Sequence, residues 1–391
     1  MTDDQKQRFL KPLLAFVLGV CLTALVFTLA NKSKTAAPGA TPASQEEGSE
    51  DADAAEKAPL DLAATFPSWN ADSASLKEMV DFVEAACDPA SPNYVEPEDR
   101  IATFDMDGTI IAEKAPFYVD YMLLLHRVLD DPDHQADPDV VTLCENIREY
   151  ADQGKKNSDY SPGRRIAIAH EFAGMTPEEF RAYVNNFLDT VEVGGFDGMT
   201  YGESFYKPMI EVIDYLRSRD FDVWMVSACE REVVRAAVGR LGFPPDHVIA
   251  TDVAYASSKQ GDKAPDEYNM GQDEVIVLSE PLLDSCKETA KSLAIAREIG
   301  RPPLMAFGNS SGDYGMLNYA EASGGMGLLV VADDADRDYG DAEKAAEEYE
   351  TVAKESWTSF SMKDDWATIY GEGVVKTCLP ADEKEELAAA A

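Results

Sequence analysis

Two aspartates, Asp105 and Asp107, stand one residue apart and run directly into Gly108 and Thr109. The run before them, Ile-Ala-Thr-Phe, favours a buried strand. Positions two apart on a strand face the same side, so both carboxylates converge where the strand ends and the glycine loop begins. In open α/β sheets that rim is where ligands collect. Buried like charges repel unless a cation or a shared proton lies between them, so the pair demands a metal or one protonated member. A plain acidic loop is the competing reading, and repetition downstream weighs against it. Ser227 follows Val-Trp-Met-Val. Its hydroxyl, with the amide of Ala228, can hold an anion's oxygen as well as cap the next helix. Lys291 opens an apolar-faced helix, with Lys287 as a near competitor. Gly308-Asn309-Ser310-Ser311-Gly312-Asp313 is a tight loop after another apolar run, and it turns Asp313 back to the rim. Taken singly these are an N-cap, a solvated lysine and a polar turn. Together they place acids, a hydroxyl and an amine where a sheet gathers a ligand.

The elements that must position them alternate. Strands are expected over 101–104, 221–226, 247–250, 274–278, 304–307, 327–331 and 357–361. Helices are expected over 76–86, 209–216, 231–241, 291–299, 313–320 and 341–354, the last a charged outer helix. Such alternation argues for a parallel sheet covered on both faces. Between the first two strands lies a long helical block, with segments at 117–129, 140–150 and 164–172. A capping box at Thr176–Glu179 then opens a helix with a stripe of Phe180, Tyr183, Val184, Phe187 and Leu188. Residues 258–273 are polar and turn-rich, an excursion from the sheet.

The chain has 391 residues, 45% of them hydrophobic, enough for one large or two ordinary domains. Its formal net charge of −39 and pI near 4.3 repel polyanions, so nucleic acid is not an expected partner. A basic head, residues 1–11, precedes the uncharged stretch 12–30. At about 1.5 Å per residue such a helix is about 28 Å long, close to a bilayer's hydrocarbon core. It is expected to be a signal anchor or a cleaved signal peptide, exporting the C-terminal part to the cell surface or beyond. Residues 31–59, rich in Ala, Pro, Ser and acids, form an expected disordered tether. Five cysteines beyond the apolar stretch and four scattered histidines show no metal or triad spacing.

On Asp105-Met106-Asp107-Gly108-Thr109, Ser227 after its strand, Lys291 and Gly308–Asp313, the chain resembles the haloacid dehalogenase superfamily, on its phosphoserine-phosphatase-like branch. The resemblance spans residues 101–370. It implies a three-layer, Rossmann-like α/β core over 60–110 and 207–380, a helical cap over 111–206 and a flexible tail from 381. It implies a Mg²⁺-dependent phosphomonoesterase acting on a small phosphorylated compound. Asp105 would be the nucleophile, Asp107 the general acid and base, and Ser227, Ala228 and Lys291 the phosphate holders. Asp105, Asp107 through its backbone carbonyl, and Asp313 would bind the metal, with Asn309 contributing or orienting. Thr109 and Gly108 would support the loop. In the cap, Glu113, Tyr118 and Arg164 or its neighbour Arg165 would read the leaving group. Asn309 stands where the branch has an acid, and Ala228 where it has a glycine. The alternative is a weakly active or inactive metal-dependent binding protein on the same fold. Asp105 and Asp107, both retained, argue against it.

Overall fold

Alternate residues of the strands enter two separate cores. Met305 and Phe307 belong to one, Ala306 to the other; Leu328 and Val330 to one, Leu329 and Val331 to the other. This is the signature of a sheet buried on both faces. In this computed structural model the described residues are 60–113, 117–155, 161–383 and 388. The expected membrane helix over 12–30, the tether over 31–59 and most of the expected tail lie outside them. No helix among the described residues is long and apolar enough to cross a membrane.

In chain order the main elements are α1 (Ala74–Cys87), β1 (Ile101–Phe104), α2 (Val119–Leu125), α3 (Pro138–Ala151), α4 (Ser161–Glu171), α5 (Pro177–Thr190) and α6 (Lys207–Arg217). They continue with β2 (Asp222–Glu230), α7 (Arg231–Gly239), β3 (Val248–Ser257), β4 (Ile276–Asp284), α8 (Thr289–Glu298), β5 (Met305–Gly308), α9 (Tyr314–Glu321), β6 (Met326–Val331), α10 (Ala342–Glu355) and β7 (Thr358–Ser361). The sheet order is β4-β3-β2-β1-β5-β6-β7. All neighbouring pairs are parallel except β3 with β4. One core holds the inner residues of α1, α6 and α7, and the other holds those of α8, α9 and α10.

The order matters for function. From β1 the chain steps outward through β2, β3 and β4, then returns to lay β5 against the other side of β1. The β1/β5 boundary is therefore a topological switch point, where a crevice opens at the strands' C-terminal ends. Register puts Phe104 opposite Phe307, so the segments beginning at Asp105 and Gly308 leave the sheet at the same level.

Three expectations need correction. The expected strand 274–278 is the start of a longer one, Ile276–Asp284, and it runs antiparallel to β3. The strand expected to stop at Val226 continues to Glu230, with a register shift against β3 between Val226 and Glu230. That bulge carries Ser227, Ala228 and Cys229. The helix expected over 117–129 is an α-helix to Leu125 followed by a π-turn to Asp130.

The helical block between β1 and α6 folds as its sequence requires. Thr176 and Glu179 form both bonds of the capping box, and Phe180, Val184, Phe187 and Leu188 are buried. Beyond its two connections it is held by the sheet's edge. The Gly174 amide donates to Leu278 O at 2.8 Å and the Leu278 amide to Met175 O at 2.8 Å, joining the α4–α5 turn to β4.

At the end of β2, Glu230 caps α7. Its Oε2 accepts from the Val233 amide at 2.9 Å, while its Oε1 is buried without a partner. Burial pushes its carboxyl from the ordinary 4.5 up to about 8. Between those values the folded state holds a proton that the unfolded chain has released, so this group costs stability as pH rises from about 4.5 to about 8. Glu230→Gln, which keeps a capping oxygen, is therefore expected to melt roughly 2–4 °C above wild type at pH 8. At pH 5 the two should nearly coincide, and calorimetry at both pH values checks this.

Candidate active site

One buried ammonium joins the ends of β1 and β5. Lys291, third residue of α8 and 2% exposed, donates from Nζ to Asp105 Oδ1 and to Asp313 Oδ1, the latter at 2.7 Å. Asp105 directly follows β1, and its amide donates to Phe307 O at 2.9 Å, continuing the β1–β5 pairing by one residue. Its other oxygen accepts from Thr109 Oγ1 at 3.4 Å. Thr109 thus supports Asp105 directly. Asp313 precedes α9, and its Oδ2 accepts the amides of Asn309 and Ser310, both at 3.1 Å. The tight Gly308–Asp313 loop therefore closes on its own carboxylate and leaves the other oxygen for Lys291. Gly308 has no room for a side chain, since a Cβ would fall 2.3 Å from that of Asp313.

Negative charge exceeds what one lysine offsets. Burial, then Asp313, push the Asp105 carboxyl upward against the pull of Lys291. Burial, then Asp120, Asp105 and Glu113, push Asp107 well above the usual carboxylate range. The Asp107 carboxylate accepts from the Val119 amide at the start of α2, yet its Oδ1 is buried without a partner. The Lys291 ammonium is raised in turn by Asp105 and Asp313, which outweigh its burial. Among the described residues no three His, Cys, Asp or Glu side chains are grouped to cage a metal by themselves. A cation here would take two carboxylates plus main-chain or water oxygens. That all-oxygen set, beside an unpartnered buried carboxylate oxygen, suits Mg²⁺, which keeps several waters.

The bulge after Val226 forms a second wall. Ser227 is buried, and its Oγ accepts the Cys229 amide at 3.1 Å. Ala228 and Cys229, rather than Ser227, line the cavity. Ala228 O accepts from Thr251 Oγ1 at 2.8 Å, and that hydroxyl oxygen accepts the Cys286 amide at 3.1 Å. The bulge is thereby pinned to β3 and to the segment leading into α8.

A cavity of about 770 Å³ opens between these ends and the helical block. Asp105, Asp107, Lys291, Asn309 and Asp313 meet in it with Glu113, Tyr118 and Arg164. Arg164 is buried against Asp120 and lies 4.0 Å from the centre of the Tyr121 ring. Its charge is thus already matched. Neighbouring Arg165 donates to Ser285 Oγ at 2.5 Å, while its Nε is buried without a partner. Tyr118 bonds to Glu113, which also accepts from Asn309 Nδ2 at 3.2 Å. Lys114, in the same entry segment, lies outside the described residues.

The haloacid dehalogenase-like hydrolase family model matches residues 102–318. This protein belongs to that family. The matched span runs from β1 into α9 and takes in Asp105, Asp107, Ser227, Lys291 and Asp313. No curated protein matches the chain. Among solved structures it is similar to a protein of unknown function from Bordetella pertussis Tohama I, with 14% identity, 67% of this chain and 97% of that chain covered, and a TM-score of 0.43. It is also similar to a phosphoserine phosphohydrolase-like protein from Francisella tularensis, with 15% identity, 60% and 88% covered and a TM-score of 0.35. A third is a probable phosphoserine phosphatase from Vibrio cholerae, with 10% identity, 69% and 62% covered and a TM-score of 0.34.

Two cavity residues of this dehalogenase-like hydrolase escape sequence reasoning. Lys344, on the charged helix α10, reaches the cavity and pairs with Glu348 at 3.0 Å. Its four-residue spacing from Glu348 looks like an ordinary surface pair, so no local signal marks it. Asp120 reads as one more helix acid and is found buried beneath Arg164. The buried Lys291 bridge carries a stability prediction. Lys291→Met leaves Asp105 and Asp313 facing each other without a cation, and should lower the unfolding free energy by about 3–5 kcal/mol in urea titrations without divalent metal.

Proposed function

We propose that this chain is a Mg²⁺-dependent phosphomonoesterase that works through a phosphorylated Asp105 on a small phosphorylated compound. The observation that supports it most is the meeting of Asp105 and Asp107 in one cavity with Lys291 and Asp313, in a hydrolase of this family. Asp105 and Asp313 would hold the ion with the Asp107 main-chain carbonyl. When bound, Mg²⁺ supplies positive charge against the phosphoryl oxygens and the two acids.

The remaining chemistry belongs to the side chains. A carboxylate oxygen of Asp105 attacks phosphorus, the bond to the ester oxygen breaks, and the phosphoryl group is transferred to Asp105. Asp107 gives its proton to the departing alkoxide. It then takes a proton from water, whose oxygen attacks phosphorus and breaks the bond to Asp105, releasing phosphate. Burial among acids suits Asp107 to carry that proton. Lys291 holds Asp105 in place and balances the charge that develops on the phosphoryl oxygens. Ala228 and Cys229 of the bulge line the cavity with Asp105 and Lys291, on the side where those oxygens would lie. Thr109 Oγ1 donates to the second oxygen of Asp105 and helps orient the carboxylate for attack. The helical block walls the cavity of about 770 Å³ on the side where the leaving group would sit. Action outside the cytoplasm rests on residues 12–30 alone.

The purified chain is expected to hydrolyse p-nitrophenyl phosphate with Mg²⁺ and to lose activity in EDTA. Asp105→Asn should reduce the rate by at least about 10³-fold. Equal rates in the three samples would favour the binding-protein reading.

A further inference from the structure

Asn309 makes two kinds of contact. Its amide N–H donates to Asp313 Oδ2 at 3.1 Å, which any residue type would provide. Its side chain does something more particular. Nδ2 donates to Glu113 Oε2 at 3.2 Å, with Asn309 3% and Glu113 8% exposed. The atom facing a carboxylate must be the NH₂ group, because a carbonyl oxygen there would repel it. Both side chains close over the backbone of Gly108. A Cβ at that glycine would fall 1.9 Å from Asn309 Nδ2 and 3.1 Å from Glu113 Oε2, and its φ is +80°. The glycine between Asp107 and Thr109 thus meets two demands, a left-handed turn and space for this contact.

Glu113 is where the chain leaves the catalytic loop for the helical block. The outgoing strap pairs with the returning one, Ala112 N to Ser204 O at 2.9 Å and Tyr206 N to Ile110 O at 2.9 Å. The strap's last described residue before 117 is Glu113 itself. Tyr118, one residue before α2, bonds to the same carboxylate. Asn309, from the loop after β5, therefore joins the β5 side of the crevice to the strap leaving β1.

We propose that Asn309 is a positioning residue that latches the Glu113 carboxylate, and with it the entry strap of the helical block, onto the catalytic loop beside Asp107. An acid at position 309 would face Glu113 with like charge, so the amide is the side chain this contact requires. The latch holds Glu113 at the cavity wall next to the proton donor, where the leaving group must sit. Its kinetic consequence rests on the phosphomonoesterase reading; the contact does not.

The test exchanges donor and acceptor. Asn309→Asp should raise KM for p-nitrophenyl phosphate roughly 10-fold or more with a smaller change in kcat. Adding Glu113→Gln, which restores one donor and one acceptor across the contact, should bring KM back to within about 3-fold of wild type. Asn309→Ala should raise KM similarly while Mn²⁺ affinity, followed by electron paramagnetic resonance, stays within about 2-fold. Melting temperatures of the four proteins of the exchange cycle should be non-additive in the same sense. Additive KM and melting effects, or loss of Mn²⁺ affinity in Asn309→Ala, overturn the latch. If wild type shows no hydrolysis, the functional reading fails and the melting cycle with Mn²⁺ binding alone decides the latch.

Discussion

The Lys291 ammonium is buried against two carboxylates contributed by different strand ends. In a low dielectric such attraction is strong, but much of it is returned as the cost of stripping water from three charges. The arrangement holds because every partner is fixed from outside. Asp105 is held by Thr109 and by β1–β5 pairing, Asp313 by two loop amides, and Lys291 by its place in α8. Removing any one would strand charge in the interior. The sheet order supplies the location, since only at the β1/β5 boundary do two neighbouring parallel strands lead their chains in opposite directions around the sheet.

The helical block adds a roof whose contacts reach both sides of that boundary. On one side the strap residue Glu113 meets Asn309 from the β5 loop. On the other, the turn between α4 and α5 exchanges main-chain hydrogen bonds with β4, and Arg181 pairs with the fully buried Glu232 of α7. The antiparallel β3–β4 extension thus does more than finish the sheet. It carries the core's edge to the block and covers a strand that would otherwise leave open hydrogen-bonding groups.

Much of this was legible because local chemistry and global fold agree. Short apolar runs leading into Asp105 and Gly308 marked strand ends, and Gly and Pro marked helix ends. The Thr176–Glu179 box was readable because both its bonds are local. What sequence missed depends on partners far along the chain. Nothing near residues 276–284 says that β4 pairs antiparallel, because periodicity records burial and not direction. Ser227 and Ala228 were expected together at the cavity wall; with the bulge shifting the register, Ala228 lines the cavity with Cys229, while Ser227 does not. Lys344 and Asp120 wear the composition of a solvated helix face, and only tertiary packing turns them to the cavity.

The claim on which the account turns is that Asp105 becomes phosphorylated during turnover. Mixing the chain with p-nitrophenyl phosphate and Mg²⁺, quenching in acid and reducing with borohydride would convert an aspartyl phosphate to homoserine. Peptide mass spectrometry should then find homoserine at position 105, and none in a sample without substrate. Steady hydrolysis with aspartate intact at position 105, or with the modification at another carboxylate, would contradict it.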